Sequence, residues 1–178
     1  TGGETGIRVA QKSGMVALQT ELGGKDACLV LPDADLDLAA KSIIAGAYSY
    51  AGQRCTAVKL LVVFDEIADE LIAKVNAKIT ELTVGQPEDN AKITAVISKS
   101  SADFIESLVL DAKDKGAKLC QEWRREDNLI WPLLIDNVTQ DMKICWEEPF
   151  GPVLPVVRVK TEAEALEYVN KSRFGLQG

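Results

Sequence analysis

Short, continuous apolar runs alternate in this chain with longer stretches whose apolar residues recur at helical spacing, and few architectures accept that alternation. Residues 27–31 are an apolar run of the buried-strand kind, and residues 59–64 and 153–159 read as further strands. After the first of them, Pro32-Asp33 reads as a turn with Asp33 or Asp35 available to cap a helix. Leu36, Leu38, Ala39, Ile43, Ile44, Ala47 and Tyr48 then lie at helical spacing up to Ala51. Residues 66–82 repeat the pattern with Ile67, Leu71, Val75, Ile79 and Leu82 on one face. Core packing explains that stripe without any cofactor. A strand covered on both faces is apolar throughout, and strands alternating with helices imply an α/β fold: an open twisted sheet with flanking helices. At 178 residues the chain is long enough for a core of its own.

The remaining elements follow by the same reasoning. Residues 15–20 are expected to be a strand, residues 7–12 a short helix closed by Gly14, and residues 102–115 a helix closed by Gly116. Strands are expected at 118–120 and 131–135, and a last helix at 162–170. Residues 138–146 carry no clear period. No internal repeat, low-complexity segment or linker interrupts the chain.

Composition narrows the chemistry. The net charge is −7, and the Arg124-Arg125 pair is flanked by Glu122, Glu126 and Asp127, so nucleic acid is not an expected partner. No apolar run is long enough to span a membrane as a helix, and no signal peptide is visible. The four cysteines, Cys28, Cys55, Cys120 and Cys145, stand far apart without a Cys-x-x-Cys pair, which fits a reduced, intracellular protein. There is no histidine. Cys-His and Ser-His-Asp catalysis and ordinary zinc sites within the chain are therefore excluded, and a base working with a cysteine here must be a carboxylate, a lysine or water.

Four motifs stand out. Thr1-Gly2-Gly3-Glu4-Thr5-Gly6 is a glycine-rich turn before a helix, where backbone N–H groups can approach a phosphate, although an ordinary tight turn is the commoner meaning. Glu21-Leu22-Gly23-Gly24-Lys25 places a carboxylate beside a double-glycine turn. Gly52-Gln53-Arg54-Cys55-Thr56 sets a thiol beside a fixed positive charge directly after a helix, with Gly52 suited to a left-handed turn. A reactive cysteine needs such an electropositive, partly exposed setting, but a cysteine in isolation is more often a small buried hydrophobe. Glu147-Glu148-Pro149-Phe150-Gly151-Pro152 is a turn stiffened by two prolines, as apt for structure as for a site. A five-residue strand covers about 17 Å and a sixteen-residue helix about 24 Å, so the chain between Glu21 and Cys55 can return the two to one place.

These four motifs, in this order and spacing, resemble the aldehyde dehydrogenase superfamily over nearly the whole chain. The arginine directly before Cys55, with residues 21–27, 52–59 and 147–155, is similar to the non-phosphorylating glyceraldehyde-3-phosphate dehydrogenase branch. The resemblance implies a truncated catalytic-domain-like fold, with residues 1–22 the C-terminal end of a dinucleotide-binding domain and residues 23–178 an incomplete catalytic domain. Without an initiator methionine the chain is expected to be cut from something longer. The family's cofactor-selecting residues and its oxyanion-hole asparagine would then precede Thr1, and its oligomerisation strand would follow Gly178.

The roles implied by the resemblance are specific. Cys55 is the nucleophile toward an aldehyde and Glu21 the general base that hydrolyses the resulting thioester. The backbone N–H of Cys55 helps hold the oxyanion. Arg54 binds the phosphate of glyceraldehyde 3-phosphate, with Thr56 lining the same substrate pocket. Gly2, Gly3, Leu22, Glu148 and Phe150 hold NADP. The resemblance further implies a cytoplasmic homo-oligomer, a tetramer, with no metal. Two other readings stay open: a dehydrogenase for another small aldehyde, and a non-catalytic α/β association module in which Cys55 is a core thiol.

Overall fold

The computed structural model describes residues 2–178, so the Thr1 end of the first glycine motif lies outside the described residues. The expected α/β alternation is present. Strand β1 (Asp26–Val30) leads to helix α2 (Leu36–Tyr48), strand β2 (Val58–Phe64) and helix α3 (Asp65–Ile79). Helix α4 (Lys99–Asp114) follows, then the short strands β3 (Lys118–Leu119), β4 (Arg125–Glu126), β5 (Leu129–Ile130) and β6 (Leu133–Asp136). A single helical turn, α5 (Lys143–Trp146), precedes strand β7 (Val153–Val159) and helix α6 (Glu162–Lys171). Residues 138–146, which carried no period, are a turn running into α5.

The main sheet has five strands in the order β1-β2-β7-β6-β3. All pairings are parallel except β3 with β6 at the edge. β4 and β5 form a separate hairpin. Both faces of the sheet are covered. Leu61, Val63 and Val156 pack with Ile43 and Ala47 of α2 and with Leu71 and Val75 of α3. On the other face Leu60, Val62 and Val157 pack with Ile105 and Val109 of α4 and Ala165 of α6. This double burial is why residues 60–63 are apolar without alternation.

Two expectations need correction. Residues 15–20 are not a strand: no ladder forms there, and Met15, Val16 and Leu18 are exposed. A strand needs a neighbour to satisfy its backbone, and this segment has none among the described residues. The glycine motif at the start is not a turn either, because helix α1 (Gly3–Lys12) begins inside it. Gly6 is buried there, since a Cβ would fall 2.6 Å from a methyl of Leu22. The α1 helix and the extended segment that returns from it are thus held together by one side chain lying on a glycine.

Asp35 caps α2, its carboxylate accepting from the backbone N–H groups of Asp37 and Leu38 at 3.0 Å each. Asp35→Ala is expected to lower stability by about 1 kcal/mol with the site cavity unchanged, as read from urea unfolding.

Candidate active site

Each of the three adjacent parallel strands β1, β2 and β7 is entered from one of the motifs singled out in the sequence. Residues 21–25 run into β1, residues 52–57 into β2, and residues 147–152 into β7. Parallel pairing puts all three entries on one edge of the sheet. Open α/β sheets commonly place their ligands at the carboxyl ends of the strands; here the chemistry-bearing residues gather at the amino ends.

The Cys55 loop is set by a tight reversal at the end of α2. Tyr50 and Ala51, at φ 55° and 54°, and Gly52, at φ 71°, are successive left-handed residues. For the two that are not glycine this conformation costs on the order of 1–3 kcal/mol each. Gly52 is required twice over, since a Cβ there would also lie 2.2 Å from the carbonyl oxygen of Gly151. Gln53 holds the reversal from outside, donating to the Ala95 carbonyl at 3.3 Å and accepting from the Ile97 N–H at 2.9 Å.

The expected site residues meet around one cavity of about 740 Å³. Cys55, half-buried, lies on its wall with Arg54 and Thr56 beside it. Glu21 and Leu22 enter from the segment before β1, Glu148 and Phe150 from the segment before β7, and Gly2 from the start of α1. Gly3 lines an adjoining cavity of about 640 Å³ that shares Gly2, Leu22, Gly23 and Glu148. Glu21 sits not at the end of a strand, as expected, but at the end of the exposed extended segment.

The double glycine is likewise no turn. Neither Gly23 nor Gly24 has a positive φ, and what each supplies is room. A Cβ on Gly24 would fall 2.4 Å from the Cys55 carbonyl oxygen, and one on Gly23 would fall 2.1 Å from Oε2 of Glu148. The three entry segments therefore touch through these two residues.

Arg54 is partly committed to the protein: its Nη2 donates to the Gly46 carbonyl at 3.2 Å and its guanidinium lies 5.7 Å from the Tyr50 ring. The sequence reading missed two buried lysines. Lys59, 2% exposed, donates from Nζ to the carbonyls of Arg54 at 2.6 Å and Cys55 at 2.8 Å, and lies 3.3 Å from Oε1 of Glu148. Oε1 also accepts from the Gly24 N–H at 3.1 Å. Lys25 donates to the Ile144 carbonyl at 2.7 Å. A lysine flanked by apolar residues in strand register, as Lys59 is between Val58 and Leu60, was the available signal, because such a position points into a core. A further cavity of about 360 Å³, bounded by Lys25, Cys145 and the last residues of the chain, opens elsewhere and includes none of the expected site residues. All four cysteines are free thiols.

The pattern of the aldehyde dehydrogenase family matches residues 1–178. The chain belongs to the aldehyde dehydrogenase family. Within the family it is 64% identical over 178 residues to the NADP-dependent glyceraldehyde-3-phosphate dehydrogenase of Arabidopsis thaliana, covering 100% of this chain and 36% of that protein. The crystal structure of an NADP-dependent glyceraldehyde-3-phosphate dehydrogenase from Bacillus halodurans, complexed with NADP, superposes with a TM-score of 0.97 at 50% identity, over 99% of this chain and 37% of that one. A family member acting in another context, a salicylaldehyde dehydrogenase from Pseudomonas putida complexed with salicylaldehyde, superposes with a TM-score of 0.95 at 37% identity, over 99% of this chain and 38% of that one. The chain thus spans 36% of the length of the plant relative it matches.

Burial pushes the Lys25 ammonium down to about 7 from 10.5; Cys145 and Glu148 oppose the shift and Lys59 adds to it. The folded protein releases this proton near pH 7, whereas the unfolded chain keeps it to about pH 10.5. Between the two the unfolded state binds more protons, so this group makes stability rise with pH, by up to about 1.4 kcal/mol per unit. The window closes from above, because burial also raises the Cys145 thiol, to about 11 from 9.0, and its contribution falls once pH exceeds 9. Urea unfolding between pH 7 and about 8.5 is expected to show the rise in the native protein and to lose it in Lys25→Met. A second expected outcome concerns the glycine contact: Gly24→Ala drives the Cys55 carbonyl away and lowers the rate of Cys55 alkylation by iodoacetamide relative to Cys28.

Proposed function

We propose that this chain is the catalytic portion of an NADP-dependent dehydrogenase that oxidises glyceraldehyde 3-phosphate to 3-phosphoglycerate. The observation that carries the reading is the meeting of Cys55, Glu21, Arg54 and Glu148, drawn from three separate segments, around one cavity. The similarity to NADP-dependent glyceraldehyde-3-phosphate dehydrogenases supports the substrate and cofactor.

In this reading the Cys55 thiolate adds to the aldehyde carbon and forms a thiohemiacetal, and loss of hydride from that carbon leaves a thioester on Sγ. Glu21 then takes a proton from water, whose oxygen attacks the thioester carbon. The carboxylic acid leaves and the thiolate of Cys55 is restored. The backbone N–H of Cys55 donates to the oxygen that becomes negative in both additions. Arg54 and Thr56 receive the phosphate, for which a planar guanidinium is better shaped than an ammonium.

NADP, when bound, supplies the hydride acceptor. The residues present fit such a group. Among the described residues the polar contacts of Glu148 fall on Oε1, which leaves Oε2 to accept from a ribose hydroxyl. Phe150, 37% exposed, offers a ring face at the cavity wall. Gly2 and Gly3 open the N-terminus of α1, which has no side-chain cap, toward the adjoining cavity. Leu22 lines both cavities. The free thiols support a reducing compartment, the cytoplasm, as its location.

In the full-length protein, Cys55→Ser is expected to abolish aldehyde oxidation. Glu21→Gln is expected to give one rapid equivalent of NADPH per site and then to turn over about 10²–10⁴-fold more slowly. Normal steady-state turnover in either variant rules the reading out. Comparing phosphorylated with unphosphorylated glyceraldehyde separates this substrate from another small aldehyde, and Arg54 predicts the lower KM for the phosphorylated one.

A further inference from the structure

We propose that Lys59 is a positioning residue that aims the oxyanion-holding N–H of Cys55 and, through the same ammonium, ties that loop to the cofactor-holding carboxylate of Glu148. The inference rests on the proposed reading of Cys55 and Glu148 and adds a residue to which that reading gives no role.

The geometry is that of a three-way clamp. An ammonium has three N–H donors, and Lys59 has three acceptors within reach: the Arg54 carbonyl at 2.6 Å, the Cys55 carbonyl at 2.8 Å and Oε1 of Glu148 at 3.3 Å. The side chain is fully enclosed, at 2% exposure, and is anchored in β2 between Val58 and Leu60. The donor end is thus shielded from water, while the acceptors border the cavity.

The Arg54 carbonyl and the Cys55 N–H belong to the same peptide unit. No peptide bond among the described residues is cis, so this N–H points away from the side on which Lys59 grips the oxygen. Holding the carbonyl from beneath fixes the direction of the donor above. A short, charge-assisted bond to that oxygen also polarises the peptide and strengthens its N–H as a donor. The second carbonyl bond, to Cys55, prevents the loop from rotating about the first. The third contact fixes Oε1 of Glu148, with Oε2 held against Gly23. One buried charge thereby sets the nucleophile loop and the ribose-holding group in a common frame.

The test is a double-mutant cycle in the full-length enzyme with Lys59→Met and Glu148→Gln, following the pre-steady-state burst of NADPH and the KM values of both substrates. Lys59→Met is expected to slow the burst about 10²-fold, the scale of losing one oxyanion donor. It is expected to raise the KM for NADP about tenfold while moving the aldehyde KM less than threefold. The two substitutions should be non-additive in the KM for NADP, because each removes the same ion pair. A folded Lys59→Met with a burst rate within threefold of wild type overturns the proposal, as does additivity with Glu148→Gln. Should the single variant not fold, the double variant leaves no unpaired charge, and its burst is compared with that of Glu148→Gln alone: a further slowing of about 10²-fold supports the clamp and equality overturns it. A full-length protein that oxidises no aldehyde overturns both this inference and the dehydrogenase reading, whereas an active protein indifferent to Lys59→Met overturns this inference alone.

Discussion

Parallel pairing of β1, β2 and β7 is the constraint from which the site follows. Once the apolar runs pair side by side in one direction, the segments entering them are forced onto one edge of the sheet. That edge receives a carboxylate, a thiol and a second carboxylate from distant parts of the chain. The pairing itself is held by cover on both faces, from α2 and α3 on one side and α4 and α6 on the other. Packing energy that looks unrelated to chemistry thus sets where the chemistry can occur.

Beneath that edge lie two positive charges in an acidic protein. Lys25 and Lys59 are both buried, yet their situations differ. Lys59 has three oxygen acceptors and one full negative partner, so its ammonium is compensated where it lies. Lys25 has one carbonyl acceptor, and burial dominates its titration. For Lys25, desolvation outweighs the neighbouring charges.

Much of the fold was legible in the sequence because its signals are local. The runs that became β1, β2 and β7 and the stripes of α2, α3, α4 and α6 each announce themselves within a few residues. Residues 15–20 misled for the opposite reason: their composition is that of a strand, but a strand exists only with a neighbour, and neighbours are not a local property. The double glycine misled in the same way. Gly23 and Gly24 look like a turn, and their reason is the approach of Glu148 and of the Cys55 backbone, residues far off in sequence. The expected site residues were found together because each sits in a recognisable motif. Lys59 was missed because a lone lysine in an apolar run looks like an irregularity until its three acceptors are seen.

The contact of Gly24 with the Cys55 carbonyl oxygen sets apart two kinds of position around the site. At one kind, residues 23–24 and 52, no side chain can be admitted without parting the loops. At the other kind, such as the exposed Tyr50, no close contact of that sort stands in the way. Substitution has room at that second kind of position and almost none at the first. A family built on this frame can vary its exposed positions while inheriting unchanged the glycines through which its loops touch.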